Sequence, residues 1–254
     1  MQARPGLRDR LRRGELLLGT LLTLASPEAA ELLGEAGFDW LFVDAEHGAF
    51  DPRSIQAVLQ GAGRAVDCLV RVAGLDEGAI KQALDAGAAG VIVPQVETAE
   101  QAELAARWTR YPPDGARSLG IARAQGYGMQ LREYLAFAND GLALVVQAET
   151  AAAVRNIEAI VRVPGVDAVF IGPYDLSGSL GYPGEPDHAE VRQAVEHIAQ
   201  TCRGAGMPLG IFGLAPEDVI PYIRQGFTLI AAGADTVMLG RAAREMLGRL
   251  RVER

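Results

Sequence analysis

Short apolar runs alternate along the chain with stretches in which apolar residues recur at helical spacing. The runs are apolar at consecutive positions, which is typical of strands buried on both faces of a parallel sheet. They predict eight strands, at Leu16–Leu22, Trp40–Asp44, Cys68–Val72, Gly90–Val93, Leu142–Gln147, Ala168–Ile171, Pro208–Phe212 and Phe227–Ala231.

Helical stretches separate these strands, which predicts an α/β protein built as a (β/α)₈ TIM barrel. The helices are expected at Pro27–Gly34, Pro52–Gln60, Glu77–Ala86, Thr98–Thr109, Ala151–Val161, Ala189–Arg203, Pro216–Gln225 and Val237–Leu250. A doubly wound open sheet is the alternative architecture. It usually has a Gly-rich dinucleotide turn after an early strand, and this sequence has neither that turn nor a Walker loop.

Two segments stand outside the strand–helix repeat. Residues 1–14 are predicted to form an N-terminal surface helix or arm, which is rich in arginine (Arg4, Arg8, Arg10, Arg12 and Arg13). Residues 110–131 contain Gly and Pro and are too long for a simple connector, so they are predicted to be a long active-site loop. Residues 1–254 are expected to form one domain, because barrels of this size are single domains.

The composition limits the possible binding partners and the cellular location. The formal net charge of −8 argues against a nucleic-acid partner, because phosphate backbones select basic surfaces. No apolar run reaches the roughly 20 residues that a membrane span needs. Cys68 and Cys202 have no metal or redox spacing, and so few cysteines suit a reducing compartment. A cytoplasmic location is therefore predicted.

Polar side chains follow the carboxyl ends of the predicted strands, where barrels keep their chemistry. In chain order they are Asp44, Glu46 and His47 after the second strand, Arg71 on the third, Asp85 after the next helix, Gln147 and Glu149 on the fifth, and Asp175 after the sixth. We expect them to converge on one face of the barrel, although they are spread along the chain.

Glu149 and Asp175 occupy equivalent places on successive strand–helix units. Two carboxylates on neighbouring strand ends can share a hard divalent cation and leave positions open for a substrate. Oxygen ligands favour Mg²⁺, Mn²⁺ or Co²⁺ over zinc. The other interpretation is that Glu149 caps its helix and Asp175 lies in a turn.

His47 and Arg71 are the candidate proton-transfer and anion-binding groups. Asp44 lies three residues before His47, close enough to orient its imidazole as a general acid/base. Arg71 would either bind an oxyanion beside the metal or form a structural ion pair with Asp44 or Glu46. Backbone N–H groups at 174 to 177 are expected to be free to hold a substrate carboxylate.

These groups suit a 2-oxo acid bound through its carboxylate and keto oxygens. Metal and arginine would stabilise an enolate while a nearby base moves protons, which is the chemistry of a metal-dependent class II aldolase. A Schiff-base aldolase needs a lysine at a strand end, whereas the one lysine here, Lys81, lies in a predicted helix.

From Gly19 to about Leu247 the chain resembles the HpcH/HpaI class II pyruvate aldolases, whose namesake is 4-hydroxy-2-oxoheptanedioate aldolase. The motifs that carry the resemblance are Asp44-Ala45-Glu46-His47, Arg71, Asp85-Ala86-Gly87, Tyr111-Pro112-Pro113, Val146-Gln147-Ala148-Glu149-Thr150 and Ile171-Gly172-Pro173-Tyr174-Asp175-Leu176-Ser177.

The resemblance implies retro-aldol cleavage of a 4-hydroxy-2-oxo acid to pyruvate and an aldehyde. Glu149 and Asp175 would be the metal ligands, and Arg71 would bind the keto or enolate oxygen. His47 with Asp44 would handle the proton of the aldol hydroxyl, while Asp85 would hold a water of the metal shell. The remaining substrate-binding residues would be Gln147, Gly172, Pro173 and Tyr174. The family also implies a homohexamer, a trimer of dimers that exchange their C-terminal helices.

Two positions depart from the family pattern. Ser118 stands in Gly115-Ala116-Arg117-Ser118-Leu119-Gly120, where the family has a glycine that is free to adopt positive φ. Phe212 stands where the family often has an aliphatic residue near the pyruvate methyl group. Both departures concern loop closure and substrate range rather than the type of reaction.

Three other functions were considered. A CoA-thioester lyase of the citrate lyase β or malyl-CoA type would need a basic site for the CoA phosphates, and none is evident. A phosphosugar barrel would need a cation beside Gly210–Gly213 or Ala231–Ala234. A non-catalytic barrel that binds 2-oxo acids would have no use for an Asp44–His47 proton shuttle.

Overall fold

The eight strands close into one parallel barrel in chain order, which confirms the predicted architecture. The computed structural model of the protein describes residues 6–252. The strands are β1 Leu17–Leu22, β2 Trp40–Asp44, β3 Asp67–Arg71, β4 Gly90–Val93, β5 Ala143–Ala148, β6 Ala168–Ile171, β7 Leu209–Gly213 and β8 Leu229–Ala234. Closure is made by β1 and β8, with Leu17 opposite Leu229 and Leu21 opposite Ala234.

Helices follow the strands and cover the outside of the barrel. They are α1 Leu7–Arg12, α2 Pro27–Glu35, α3 Pro52–Ala62, α4 Glu77–Asp85, α5 Ala99–Thr109, α6 Leu131–Gly141, α7 Ala151–Ile160, α8 Pro173–Ser179, α9 Ala189–Ala205, α10 Pro216–Arg224 and α11 Asp235–Val252. Several begin at a side chain that accepts a hydrogen bond from a first-turn N–H, namely Ser26, Asp51, Asp76, Thr98 and Thr150.

Aromatic rings fill the inside of the barrel. Trp40, Phe42 and Phe170 pack together with ring centroids 5.4 to 6.2 Å apart. Glycines on other strands make room for them: a Cβ at Gly19 would lie 2.5 Å from the Trp40 indole, and one at Gly210 would overlap the Phe170 ring. This packed layer forms a floor, so a ligand can enter only above it.

The N-terminal helix differs from the predicted surface helix. Leu7 and Leu11, one turn apart on the same face of α1, are fully buried against the inside of the barrel. Arg8 is also buried and pairs with Asp167, while Arg10 pairs with Asp39. Helix α1 therefore closes the end of the barrel where the strands begin. Residues 1–5 of the predicted arm, Arg4 among them, lie outside the described range.

Helices α6 and α8 were not predicted. In α6 the apolar residues Tyr134, Leu135 and Ala138 recur at helical spacing and pack on the core, but Gln130 gives no side-chain cap, so the helix has an apolar face without a start signal. Helix α8 has only seven residues and begins at Pro173, so Asp175 lies in the first turn of a helix. The expected long loop is interrupted by a 3₁₀ turn at Arg123–Gln125 and ends at α6.

Helix α11 leaves an apolar surface exposed. Of its residues only Asp235 is buried, and its large apolar side chains are open to solvent, namely Leu239, Met246, Leu247, Leu250 and Val252. Within residues 6–252, no helix combines the length and hydrophobicity required to cross a membrane.

Gly210→Ala is expected to lower the free energy of unfolding by roughly 1–3 kcal/mol, because the new methyl group overlaps the buried Phe170 ring. Gly204→Ala in α9 is the matched control, since a Cβ there meets nothing, and it should be neutral or slightly stabilising. Urea denaturation of both variants measures the difference. Equal stability of the two variants would show that the floor has spare room.

Candidate active site

A cavity of about 380 Å³ opens above the aromatic floor, at the carboxyl ends of the strands. Its lining combines the ends of the strands with the loops that follow them: Leu21, Thr23, Phe42, Asp44, His47, Arg71, Gln147, Phe170, Gly172, Pro173, Tyr174, Asp175, Phe212, Leu214 and Ala234. The cavity thus brings together most of the residues that the sequence singled out.

Arg71 is held by two carboxylates. It lies directly opposite Asp44 in the β2–β3 register, and its Nε and Nη2 donate to Asp44 Oδ1 and Oδ2 at 2.9 and 2.7 Å. Glu46 Oε2 is 3.2 Å from Nε but lacks hydrogen-bond geometry, because that N–H is directed at Asp44. The ion pair lowers the pKa of Asp44 despite its burial. Arg71 is therefore a charged group in a fixed orientation at the cavity wall.

The expected Asp44–His47 side-chain pair is not what the structure contains. Asp44 Oδ1 accepts hydrogen bonds from the backbone N–H groups of Glu46 and His47, both at 3.2 Å. The other hydrogen bonds of the Asp44 carboxylate come from Arg71. The carboxylate near the imidazole is Glu46, at 3.9 Å from Nε2. The His47 side chain is 65% exposed at the rim of the cavity. Asp44 thus orients the backbone around His47, and the exposed ring is accessible to a ligand.

Glu149 is a buried carboxylate, with 2% exposure. Its Oε2 accepts from Gln147 Nε2 at 2.5 Å and its Oε1 from the Gln95 N–H at 2.9 Å. A Cβ at position 172 would collide with Oε2, so only glycine fits there. Burial, together with the nearby charges of Asp175 and Glu46, raises the pKa of Glu149 to about 7.

Asp175 lies in the first turn of α8 and is exposed at the cavity. The anion-binding backbone is shorter than predicted. Pro173 has no N–H, and the Leu176 N–H donates to Gly172 O at 2.9 Å within the helix. In the first turn of α8, the N–H groups of Tyr174 and Asp175 are therefore the ones without a partner in the helical hydrogen-bond pattern.

Asp85 does not line the cavity of its own chain. It pairs instead with Arg117 Nη2 at 2.5 Å. Arg117 is fully buried and stacks over the Tyr111 ring at 4.6 Å, with Tyr134 at its other nitrogen. Asp85 and Arg117 therefore fix the beginning of the long loop against α4, next to Ser118.

The donor set suits a hard cation with open positions. Glu149 and Asp175 offer carboxylate oxygens, and the buried Gln147 Oε1 has no hydrogen-bond partner. Arg71, the nearby permanent positive charge, is already engaged by Asp44 and Glu46. Within the described chain no cluster of three or more His, Cys, Asp or Glu is arranged to hold a metal ion. A cation here would thus have two protein carboxylates and complete its shell with other ligands.

The model for the HpcH/HpaI aldolase/citrate lyase family matches residues 18–242. The chain belongs to this family. Two curated relatives are each 42% identical: a 2-dehydro-3,6-dideoxy-6-sulfogluconate aldolase from Pseudomonas putida, covering 93% of each chain, and a 4-hydroxy-2-oxovalerate aldolase from Rhodococcus jostii (strain RHA1), covering 94% of this chain and 93% of that one. Both are named as aldolases, which are carbon–carbon lyases.

A solved structure of a HpcH/HpaI aldolase/citrate lyase family protein from Burkholderia cenocepacia J2315 superimposes with a TM-score of 0.93. The two sequences are 39% identical, and the alignment covers 96% of this chain and 98% of that one. The family membership and the barrel expected from the sequence are thus confirmed.

Several residues of this HpcH/HpaI family site were not predicted. Gln95 follows β4 by two positions and has a positive φ of 53°, which aims its N–H at Glu149. The rule that located the other strand-end residues would have located it. The apolar wall residues Leu21 and Leu214 carry no chemical signal in the sequence, and only the structure shows that they face the cavity.

Proposed function

We propose that the protein is a divalent-metal-dependent class II aldolase that reversibly cleaves a 4-hydroxy-2-oxo acid to pyruvate and an aldehyde. The observation that carries the proposal is the buried carboxylate of Glu149, which Gln147 and Gln95 hold near the carboxylate of Asp175. The named activities of the relatives support the same reaction type.

Glu149 and Asp175 would hold the metal, with Mg²⁺, Mn²⁺ or Co²⁺ as the ions that suit oxygen ligands. When bound, such an ion supplies positive charge that stabilises an enolate oxygen. Gln147 positions Glu149 through its short hydrogen bond and lines the space beside it. Tyr174 and Asp175 offer backbone N–H groups to the substrate carboxylate at the start of α8.

Arg71 and His47 act on different atoms of the substrate. In cleavage the C3–C4 bond breaks, its electron pair stays on C3 as the pyruvate enolate, and the C4 hydroxyl loses its proton to become the aldehyde. Arg71, which Asp44 holds in place, stabilises the developing negative charge on the enolate oxygen. His47, exposed at the rim with Glu46 nearby, accepts the hydroxyl proton.

The lining of the cavity disfavours the CoA-thioester alternative. Arg71 is the one permanently cationic residue among the described lining residues, and it is already paired with Asp44. The several phosphate charges of CoA would find no further arginine or lysine there. The two relatives are named for different substrates, so they do not identify the aldehyde partner.

We propose further that the chain forms a homo-oligomer through α11, with the hexamer of the family as the expected state. The exposed apolar side chains of this helix support the proposal, because patches of this kind mark protein interfaces. Asp85 could then serve a neighbouring subunit, since it does not line the cavity of its own chain.

We also propose the cytoplasmic location predicted from the sequence. The free, buried Cys68 and Cys202 are consistent with it.

Glu149→Gln is expected to lose divalent-metal binding and to lower aldol cleavage by roughly 10²–10³-fold, because a ligand charge is removed while the shape is kept. Isothermal titration with Mn²⁺ measures binding independently of activity. Glu103→Gln, an exposed acid on α5, is the matched control and should behave as the wild type. Full activity after exhaustive EDTA treatment would contradict the metal-dependent reaction.

Arg71→Ala is expected to abolish both cleavage and the exchange of pyruvate methyl protons with solvent, because both pass through the enolate. His47→Ala should reduce cleavage much more than exchange, because only cleavage needs the hydroxyl proton to be moved. Proton NMR in D₂O follows exchange, and coupled pyruvate release follows cleavage. Equal losses of the two rates in His47→Ala would remove His47 from its assigned step.

Leu250→Glu is expected to lower the assembly state, because it places a charge in the exposed apolar face of α11. Light scattering coupled to gel filtration compares its mass with that of the wild type. Leu104→Glu on α5 is the control for added negative charge, because Leu104 is 37% exposed and lies outside α11. A monomeric wild-type protein would overturn the proposed oligomer.

A further inference from the structure

The mouth of the barrel is divided into a polar and an apolar sector. The polar groups described above lie on β2 to β6 and the turns that follow them. The adjoining strands β7, β8 and β1 contribute Phe212, Ala234 and Leu21 to the cavity, and Leu214 follows directly after β7. Because β7, β8 and β1 are neighbours in the closed sheet, these side chains form a continuous wall.

The apolar wall, as we name Leu21, Phe212, Leu214 and Ala234, is extended by an aromatic residue. The ring of Tyr174 lies 6.3 Å from that of Phe212 between centroids and borders the wall on the side of α8. Phe212 and Leu21 are only partly buried, so each has surface left for a ligand. A chain lying on this wall would exchange water for apolar contact.

None of the described lining residues of this sector is cationic. Arg71, the cation of the described lining residues, is on the opposite side, on β3, and is paired with Asp44 and Glu46. The charged residue at the end of β8 is itself an acid, Asp235. Its carboxylate accepts hydrogen bonds from the N–H groups of Thr23, Leu24 and Thr236 and from the Thr23 hydroxyl. An aldehyde whose far end carries a carboxylate or sulfonate would lose its hydration on this wall without gaining a cationic partner among the described lining residues.

We propose that the acceptor of this aldolase is an uncharged aldehyde with an aliphatic or aromatic chain that lies on the apolar wall, and that aldehydes with a distal anion are poor substrates. The proposal rests on the proposed aldolase function and adds the substrate class to it. Each methylene placed on the wall should be worth roughly four- to tenfold in kcat/KM.

Two aldehydes of matched shape test the proposal in the direction of addition to pyruvate. Succinic semialdehyde ends in a carboxylate, and 4-methylpentanal carries an isopropyl group in its place. With the wild-type protein and Mn²⁺, we expect kcat/KM for 4-methylpentanal to exceed that for succinic semialdehyde by about tenfold or more. Product is measured by mass spectrometry. A ratio of one or less would overturn the proposal.

Leu214→Arg should reverse this preference by placing a cation on the wall. The ratio of the two aldehydes is taken within each variant, so a general loss of activity cancels. Leu104→Arg on α5 is the matched control, because Leu104 is 37% exposed and Leu214 is 36% exposed, but Leu104 is not among the lining residues. The control should keep the wild-type ratio. An unchanged ratio in Leu214→Arg would show that the aldehyde chain does not lie on this wall.

Exchange of pyruvate methyl protons separates the two possible failures. If exchange requires the metal and both aldehydes react equally, the substrate class is wrong and the aldolase function stands. If neither exchange nor addition takes place with any of the divalent ions, the aldolase function itself fails, and the substrate class fails with it.

Discussion

The mouth of the barrel gathers more carboxylates than cationic side chains. Among the described lining residues the one arginine, Arg71, is already paired with Asp44 and lies beside Glu46, while Glu149 and Asp175 add two further carboxylates, one of them buried. A buried carboxylate is costly unless it is hydrogen-bonded and close to a positive charge. Gln147 and Gln95 provide the hydrogen bonds. This local excess of carboxylates is the constraint from which the proposed chemistry follows.

The rest of the barrel keeps these groups in place. Aromatic rings of β2 and β6 form the floor, and the glycines opposite them are needed because any larger residue would overlap a ring. Asp44 and Arg71 are neighbours in register, so the guanidinium is oriented by the sheet itself rather than by a loop. The site can therefore be rigid on its polar side and still accept different chains on the side formed by β7, β8 and β1.

The architecture was predictable because strands buried on both faces appear as continuous apolar runs, and because parallel strands place their ends together. The side-chain partners were harder to predict. Proximity in sequence suggested that Asp44 orients His47, but Arg71, twenty-seven residues away, is opposite Asp44 on the next strand and forms the bidentate pair. Gln95 contributes through its backbone N–H, which every residue except proline has, so its position just after β4, and not its residue type, was the available signal. Helix α6 has an apolar face, with Tyr134, Leu135 and Ala138 packed on the core, but it lacks the side-chain cap that would mark its beginning after the long loop.

Closure of the barrel by β1 and β8 joins the first strand to the last one. During synthesis β1 has no partner on one side until β8 has left the ribosome, and until then the sheet has two open edges that can pair with other chains. A product terminated before Leu229–Ala234 would therefore be an aggregation-prone fragment rather than a smaller barrel.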